Sequence, residues 1–183
     1  MKPSASDVDA GAHYRAIRRL ATGTGSLAVL HIGDEETVLV VGDSLDVPAT
    51  HTMAIGAQRT ARAFFKRTAP SPLELENAIA TVEDEVMRAR TLVQTRPQLY
   101  TTDPAIRAIA VLSGVTEGAT MELSIDALER TFDRLTSVAL GRPASHEGLP
   151  DDKPFAATLL ILRELMHHLQ FAAIHYVDRP DQA

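Results

Sequence analysis

An apolar run at residues 27–32 stops at Gly33, and a second resumes at Val38 and continues to Val41. Two β-rich runs separated by a short glycine-led turn form a hairpin, so a sheet is the organising element of this chain. The turn reads Gly33-Asp34-Glu35-Glu36. In phosphate-gripping turns of this outline, backbone N–H groups converge on an anion. Here three consecutive carboxylates meet that anion instead, and like unit charges near 4 Å repel by about 4 kcal/mol at a surface-like dielectric. The segment has the shape of a phosphate turn with its chemistry inverted.

The rest of the chain alternates helix and strand signals. Residues 8–21 fit a first helix, with Tyr14, Ile17 and Leu20 on one side and Arg15, Arg18 and Arg19 on another. Residues 27–32, 37–42 and 47–55 read as a three-strand antiparallel meander. A helix follows from Gly56 to Phe64. Ser71-Pro72-Leu73-Glu74 is a capping box with proline at the first helical position. It opens a helix whose stripe is Leu75, Ile79, Val82, Val86, Ala89 and Val93. Residues 106–112 are almost continuously apolar and read as a central strand buried on both faces. A helix starting near Ser124 carries Leu128, Phe132 and Leu135 and stops at Gly141. Asp152 caps a last helix over 153–170, and residues 173–177 form a closing strand. The pattern is mixed α/β, a single domain over 1–183 with 1–7 and 178–183 as flexible tails.

Composition narrows the function classes. A chain of 183 residues with 45% apolar content can bury a substantial core. No apolar run approaches the roughly 20 residues that span a bilayer, and the N-terminal residues lack a signal peptide's apolar core, so the expected location is the cytoplasm, with no membrane partner. The absence of cysteine excludes disulfides, thiolate metal sites and thiol nucleophiles. A net charge of -6 and 4% aromatic residues argue against a nucleic-acid footprint.

A meander followed by helix, strand, helices and strand is the order of one lobe of the ribonuclease-H-like, actin-like ATPase fold. The residues also resemble a family. Residues 18–33, Ala54-Ile-Gly-Ala-Gln-Arg-Thr60, Pro70-Ser-Pro-Leu-Glu-Leu-Glu76, Ile109-Ala-Val-Leu-Ser-Gly-Val-Thr116 and Leu123-Ser-Ile-Asp-Ala-Leu-Glu129 are similar, in order and spacing, to the second lobe of the Ppx/GppA exopolyphosphatases and guanosine-pentaphosphate phosphatases. The family's second phosphate motif, Asp-Ile-Gly-Gly-Gly-Ser-Thr-Glu, is matched by His31-Ile32-Gly33-Asp34-Glu35-Glu36-Thr37-Val38. Only Ile32, Gly33 and Thr37 are kept. Its later Gly-Gly-Thr turn corresponds to Ser113-Gly114-Val115-Thr116. The resemblance therefore implies two degenerate phosphate-binding turns, formed by His31, Gly33, Asp34, Glu35, Glu36 and Thr37 and by Ser113, Gly114 and Thr116. The family's first lobe, with its catalytic Glu, finds no room in these residues.

These residues admit other chemistry. Asp34, Glu35 and Glu36 form either a divalent-cation site or a solvated hairpin tip, and the second is the expectation. Glu164 and His168, four apart on a helix with His167 adjacent, could share a metal only if His31, His146 or His175 joined them; a helix surface pair is the simpler expectation. Ser113 beside His31 or His175 lacks the Gly-x-Ser-x-Gly elbow of a nucleophile. Arg59 and Arg62 form either an anion contact or an exposed basic face. The expectation is thus a non-catalytic half-domain with no catalytic residue, metal or cofactor. It would act through self-association as a homodimer or through binding a protein, using Tyr14, Ile17 and Leu20 or the 153–170 helix with Leu160 and Ile161. The alternative is a phosphatase or nucleotide- or polyphosphate-binding subunit completed by another chain, which would require magnesium. A small-molecule sensor using a cleft around Gly33 and Gly114 also stays open.

Overall fold

A computed structural model describes residues 5–21, 25–44 and 48–178. Six strands form one mixed sheet in the order β3-β2-β1-β4-β6-β5. The hairpin is its first half: β1 (Leu27–Ile32) pairs antiparallel with β2 (Thr37–Gly42), and β2 pairs antiparallel with β3 (Ala49–Met53). Beyond β1, β4 (Gln98–Thr101) and β6 (Ala173–Val177) run parallel to it, and β5 (Thr120–Ser124) closes the edge antiparallel to β6. Ala28, Leu30, Ile32, Leu39 and Val41 face the larger core, whereas Leu27, Val29, Val38 and Val40 face a smaller one. Both faces of the hairpin are covered, so its apolar runs are continuous rather than alternating.

The smaller core is closed by α1 (Ala5–Leu20), which buries Tyr14 and Ile17 on the hairpin. Tyr14 donates to the Ser44 carbonyl at 2.8 Å, and the Arg18 guanidinium donates to the carbonyls of Gly25 and Asp43. The larger core is built by α2 (Ala57–Phe64), α3 (Pro72–Met87), α4 (Pro104–Leu112), α5 (Ile125–Ala139), the short α6 (Ala144–Glu147) and α7 (Lys153–His168). At its centre, α7 packs against α2, α3, α4, α5 and β1.

Several expectations change. Residues 106–112 are not a strand and take no place in the sheet; they form most of α4. Ile106, Ile109 and Ala110 are buried while Val111 is exposed, a helical spacing that a short apolar run hides. Asp103-Pro104 is the helix-start signal that decides it. The central parallel strand is β4, which, like β5, is too short and polar to announce itself. The helix expected to reach Val93 ends at Met87 and is followed by a 3₁₀ turn at Arg90–Val93. The third strand is shorter than 47–55, and Val47 lies outside the described residues. Of the expected tails, Ala5 to Asp7 belong to α1 and the Asp178 N–H donates to the Ala119 carbonyl; residues 1–4 and 179–183 lie outside the described residues. Leu160 and Ile161, expected at an interface, are completely buried within the chain, as are Tyr14 and Ile17. An apolar residue on every side of α7 marks a helix enclosed by its own chain.

The capping box is present. Ser71 Oγ accepts from the Glu74 N–H at 3.3 Å, and Glu74 Oε2 accepts from the Ser71 N–H at 2.7 Å. Glu74 Oε1 also accepts from the Lys66 N–H. Backbone hydrogen bonds from Ser71, then Lys66, hold the Glu74 carboxyl below its ordinary value. A depressed folded-state value means that this contribution is complete above the unfolded-state titration and is lost as pH falls through the folded-state one. Ser71→Ala, which removes the Oγ acceptor of the N-cap, is expected to cost about 1 kcal/mol. In urea denaturation, the gap between Glu74→Gln, which removes the titrating carboxylate, and the parent should shrink as the medium is acidified through the Glu74 titration.

Candidate functional site

The hairpin tip is seated on a helix start. Its four residues close with Gly33 N–H donating to the Glu36 carbonyl at 2.9 Å. The Gly33 carbonyl accepts from the Ala57 N–H at 2.8 Å, and the Asp34 carbonyl accepts from Gln58 and Arg59 at 3.0 and 2.9 Å. These are first-turn donors of α2, the groups that a helix N-terminus normally leaves available to an anion. Here the turn's own carbonyls occupy them. Gly56 permits the contact: a Cβ there would come within 2.6 Å of the Asp34 and Glu35 backbone. Arg62 Nη2 donates to both carboxylate oxygens of Glu35, at 2.6 and 2.9 Å, both groups exposed, so this arginine is paired with the tip. Asp34, Glu35 and Glu36 are exposed, whereas Thr37 is fully buried with no partner for Oγ1 among the described residues.

Beside the tip lies a pair that the sequence reading missed. His31 Nδ1 is 2.6 Å from Asp103 Oδ1, and Asp103 Oδ2 accepts from the Ile32 N–H at 2.7 Å. Asp103 is 4% exposed, while the imidazole is about half exposed at 49%. Asp103 occupies the N-cap of α4 without capping it. Its carboxylate reaches across to β1, where the parallel pairing of β1 and β4 has run out beyond Val29 and Tyr100. The pair thus stands at the carboxyl ends of two parallel strands, the place where open α/β sheets bind ligands. A histidine oriented by a buried carboxylate is the geometry of a general base. In the sequence Asp103-Pro104 carries a helix-start signal and nothing that points to His31.

The second expected turn is elsewhere. Ser113 is the C-cap of α4, its Oγ bonded to the Ile109 carbonyl and to Thr131 Oγ1 on α5. Gly114 has φ +88, with Gly114 N–H donating to Val111 and Val115 N–H to Ala110. This pattern is a Schellman ending, in which glycine relieves left-handed strain. Thr116 is exposed in the following loop. Ser113 is therefore not placed as a nucleophile for His31, and the two turns share no hydrogen bond. His175 contacts Tyr100 and Glu122 instead. Glu164 and His168 do pair, Nε2 to Oε2 at 3.1 Å, and Arg163 holds the other oxygen of Glu164. Among the described residues, no three His, Asp or Glu side chains are disposed to hold a metal ion.

No family model matches the sequence, and no curated protein does. Solved structures do. A Ppx/GppA phosphatase of Aquifex aeolicus superposes with a TM-score of 0.77 at 17% identity, covering 94% of this chain and 59% of that one. The chain shares the Ppx/GppA fold. An exopolyphosphatase of Cytophaga hutchinsonii matches with a TM-score of 0.71 at 14% identity over 92% of this chain and 58% of its own. The expected mixed α/β, actin-like half-domain is thus present, and the chain spans about six tenths of the Ppx/GppA chains it matches. At these identities the likeness is one of fold.

Gly56→Ala is expected to push the hairpin tip off α2, because backbone rather than a flexible side chain blocks the new methyl. A cost of about 2 kcal/mol follows from overpacking of this kind. Thermal denaturation and loss of hydrogen-exchange protection at Ala57, Gln58 and Arg59 would measure it.

Proposed function

We propose that this chain is a non-catalytic relative of the Ppx/GppA fold that acts in the cytoplasm by binding another protein chain, a second copy being the simplest. The observation that carries this reading is the filled helix start: carbonyls of Gly33 and Asp34 take the α2 donors that would hold an anion, and Asp34, Glu35 and Glu36 surround them with negative charge. Phosphoryl transfer depends chiefly on positioning an anion and neutralising its charge. This turn opposes both.

With magnesium and ATP, polyphosphate or guanosine pentaphosphate, purified protein is expected to release phosphate no faster than buffer. Turnover that disappears in His31→Ala or Asp103→Asn would make the dyad a general base and the chain a phosphatase subunit.

Support for association comes from Leu20, an apolar residue of the α1 stripe that stays uncovered. Leu20 is 54% exposed and borders an apolar groove on the sheet face with Ile17, Tyr100, Met121 and Val177. Leu20 at the rim of such a groove offers an apolar anchor to a second chain. Light scattering across a dilution series should give a mass above the monomer that Leu20→Glu reduces. A monomeric parent at every concentration would remove self-association.

A further inference from the structure

The opposite end of the sheet carries chemistry that neither the hairpin nor the dyad uses. At the amino ends of β4 and β6, the segment 90–98 and the turn after α7 enclose a groove of about 890 Å³. Its base is apolar, with Val93, Leu99, Leu169 and Phe171. In a chain of net charge -6, no Asp or Glu among the described residues lines it, whereas Arg90 and Arg96 do. His168 and His175, also at the groove, face carboxylates: His168 faces Glu164 at 3.1 Å and Glu83 at 3.8 Å, and His175 faces Glu122 at 3.8 Å. The two guanidinium groups make no hydrogen bond or ion pair with the described residues.

The backbone gives an independent sign. Two non-glycine residues among those described have positive φ, Arg96 at 51 and Gln170 at 60, and both line this groove. Gln170 is the left-handed residue of a Schellman ending of α7, with Phe171 N–H donating to Met166 at 2.9 Å and Gln170 N–H to His167 at 3.2 Å. Glycine is the favoured residue there. Arg96 precedes Pro97, which further restricts its backbone. Left-handed non-glycine residues carry strain and concentrate at ligand sites. At both positions the strained residue has a long side chain with N–H donors where a glycine would fit better.

We propose that this groove binds a small organic oxyanion, a carboxylate or phosphate ester with an apolar group. Arg90 and Arg96 take the anionic head through paired N–H donors, as guanidinium forks do. The Gln170 amide adds a donor, and Leu169 and Phe171 receive the apolar part. The site is independent of the hairpin turn, so it stands or falls apart from phosphatase activity.

The experiment is amide NMR titration of the whole chain with benzoate and with phenyl phosphate, which separates the carboxylate from the phosphate ester. Saturable shifts are expected in segments 90–98 and 168–173. Arg90→Gln with Arg96→Gln should weaken binding about tenfold or more at an unchanged melting temperature, since both side chains are exposed. Gln170→Gly should raise the melting temperature by a few degrees while weakening binding. No saturable shift with either probe up to about 10 mM would overturn the proposal. So would shifts confined to the hairpin or to the sheet face beside α1, or an affinity that the double substitution leaves unchanged.

Discussion

Everything in this molecule is arranged around a helix that has no outside. From Ala156 to Leu162 every residue of α7 is buried, and Leu165 and Met166 continue the burial. The sheet forms one wall and α2, α3, α4 and α5 supply the others. Fully burying a side chain such as Leu or Ile contributes about 1.5–3 kcal/mol, so four consecutive ones, Leu159 to Leu162, anchor both the helical layer and the sheet. The polar residues of α7 are handled accordingly. Glu164, 1% exposed, is held between Arg163 and His168, and Arg163 lies over the Phe132 ring at 5.1 Å. A buried carboxylate is tolerated because both its oxygens are hydrogen-bonded.

That layer presses α2 against the hairpin, and the contact settles the chemistry of the turn. A helix start and a tight turn both carry unpaired backbone groups. Here each satisfies the other, since the donors of Ala57, Gln58 and Arg59 meet the acceptors of Gly33 and Asp34. The acidic side chains are left on the outside, where water solvates them and Arg62 pairs with Glu35. Beside them, Asp103 supplies the acceptor for Ile32 N–H that the end of strand pairing leaves open, and it fixes the His31 ring. The same carboxylate thus closes the sheet and orients an imidazole.

The two ends of the parallel strands have opposite character. At the carboxyl ends stand three exposed carboxylates of the hairpin and the His31–Asp103 pair. At the amino ends lie two arginines with no carboxylate among the described lining residues. The carboxylates nearest the second groove, Glu83, Glu164 and Glu122, face its histidines and leave the two arginines unpaired among the described residues.

Local rules made the hairpin, the capping box at Ser71, the caps at Ser124 and Asp152 and the long helices legible from the sequence. Each depends on residues within a few positions of one another: Ser71 with Glu74, Asp152 with Phe155, Leu27 to Ile32 with Thr37 to Gly42. The tight turn at Gly33 was legible for the same reason. The residues 106–112 were not, because a short run that is apolar except for Arg107 satisfies a buried strand and a buried helix alike, and packing against α5 and α7 selects the helix. The strands β4 and β5, four and five residues long, owe their structure to neighbours supplied by distant segments. Asp103 finds His31 across 72 positions, and Arg96 and Gln170 come to one groove from segments far apart in the chain, so neither site left a motif. The sequence by itself determined which segments are helices or strands wherever caps and periodicity agree. Only the tertiary structure decided which backbone donors meet which acceptors, because that depends on the packing of chain segments far apart in sequence.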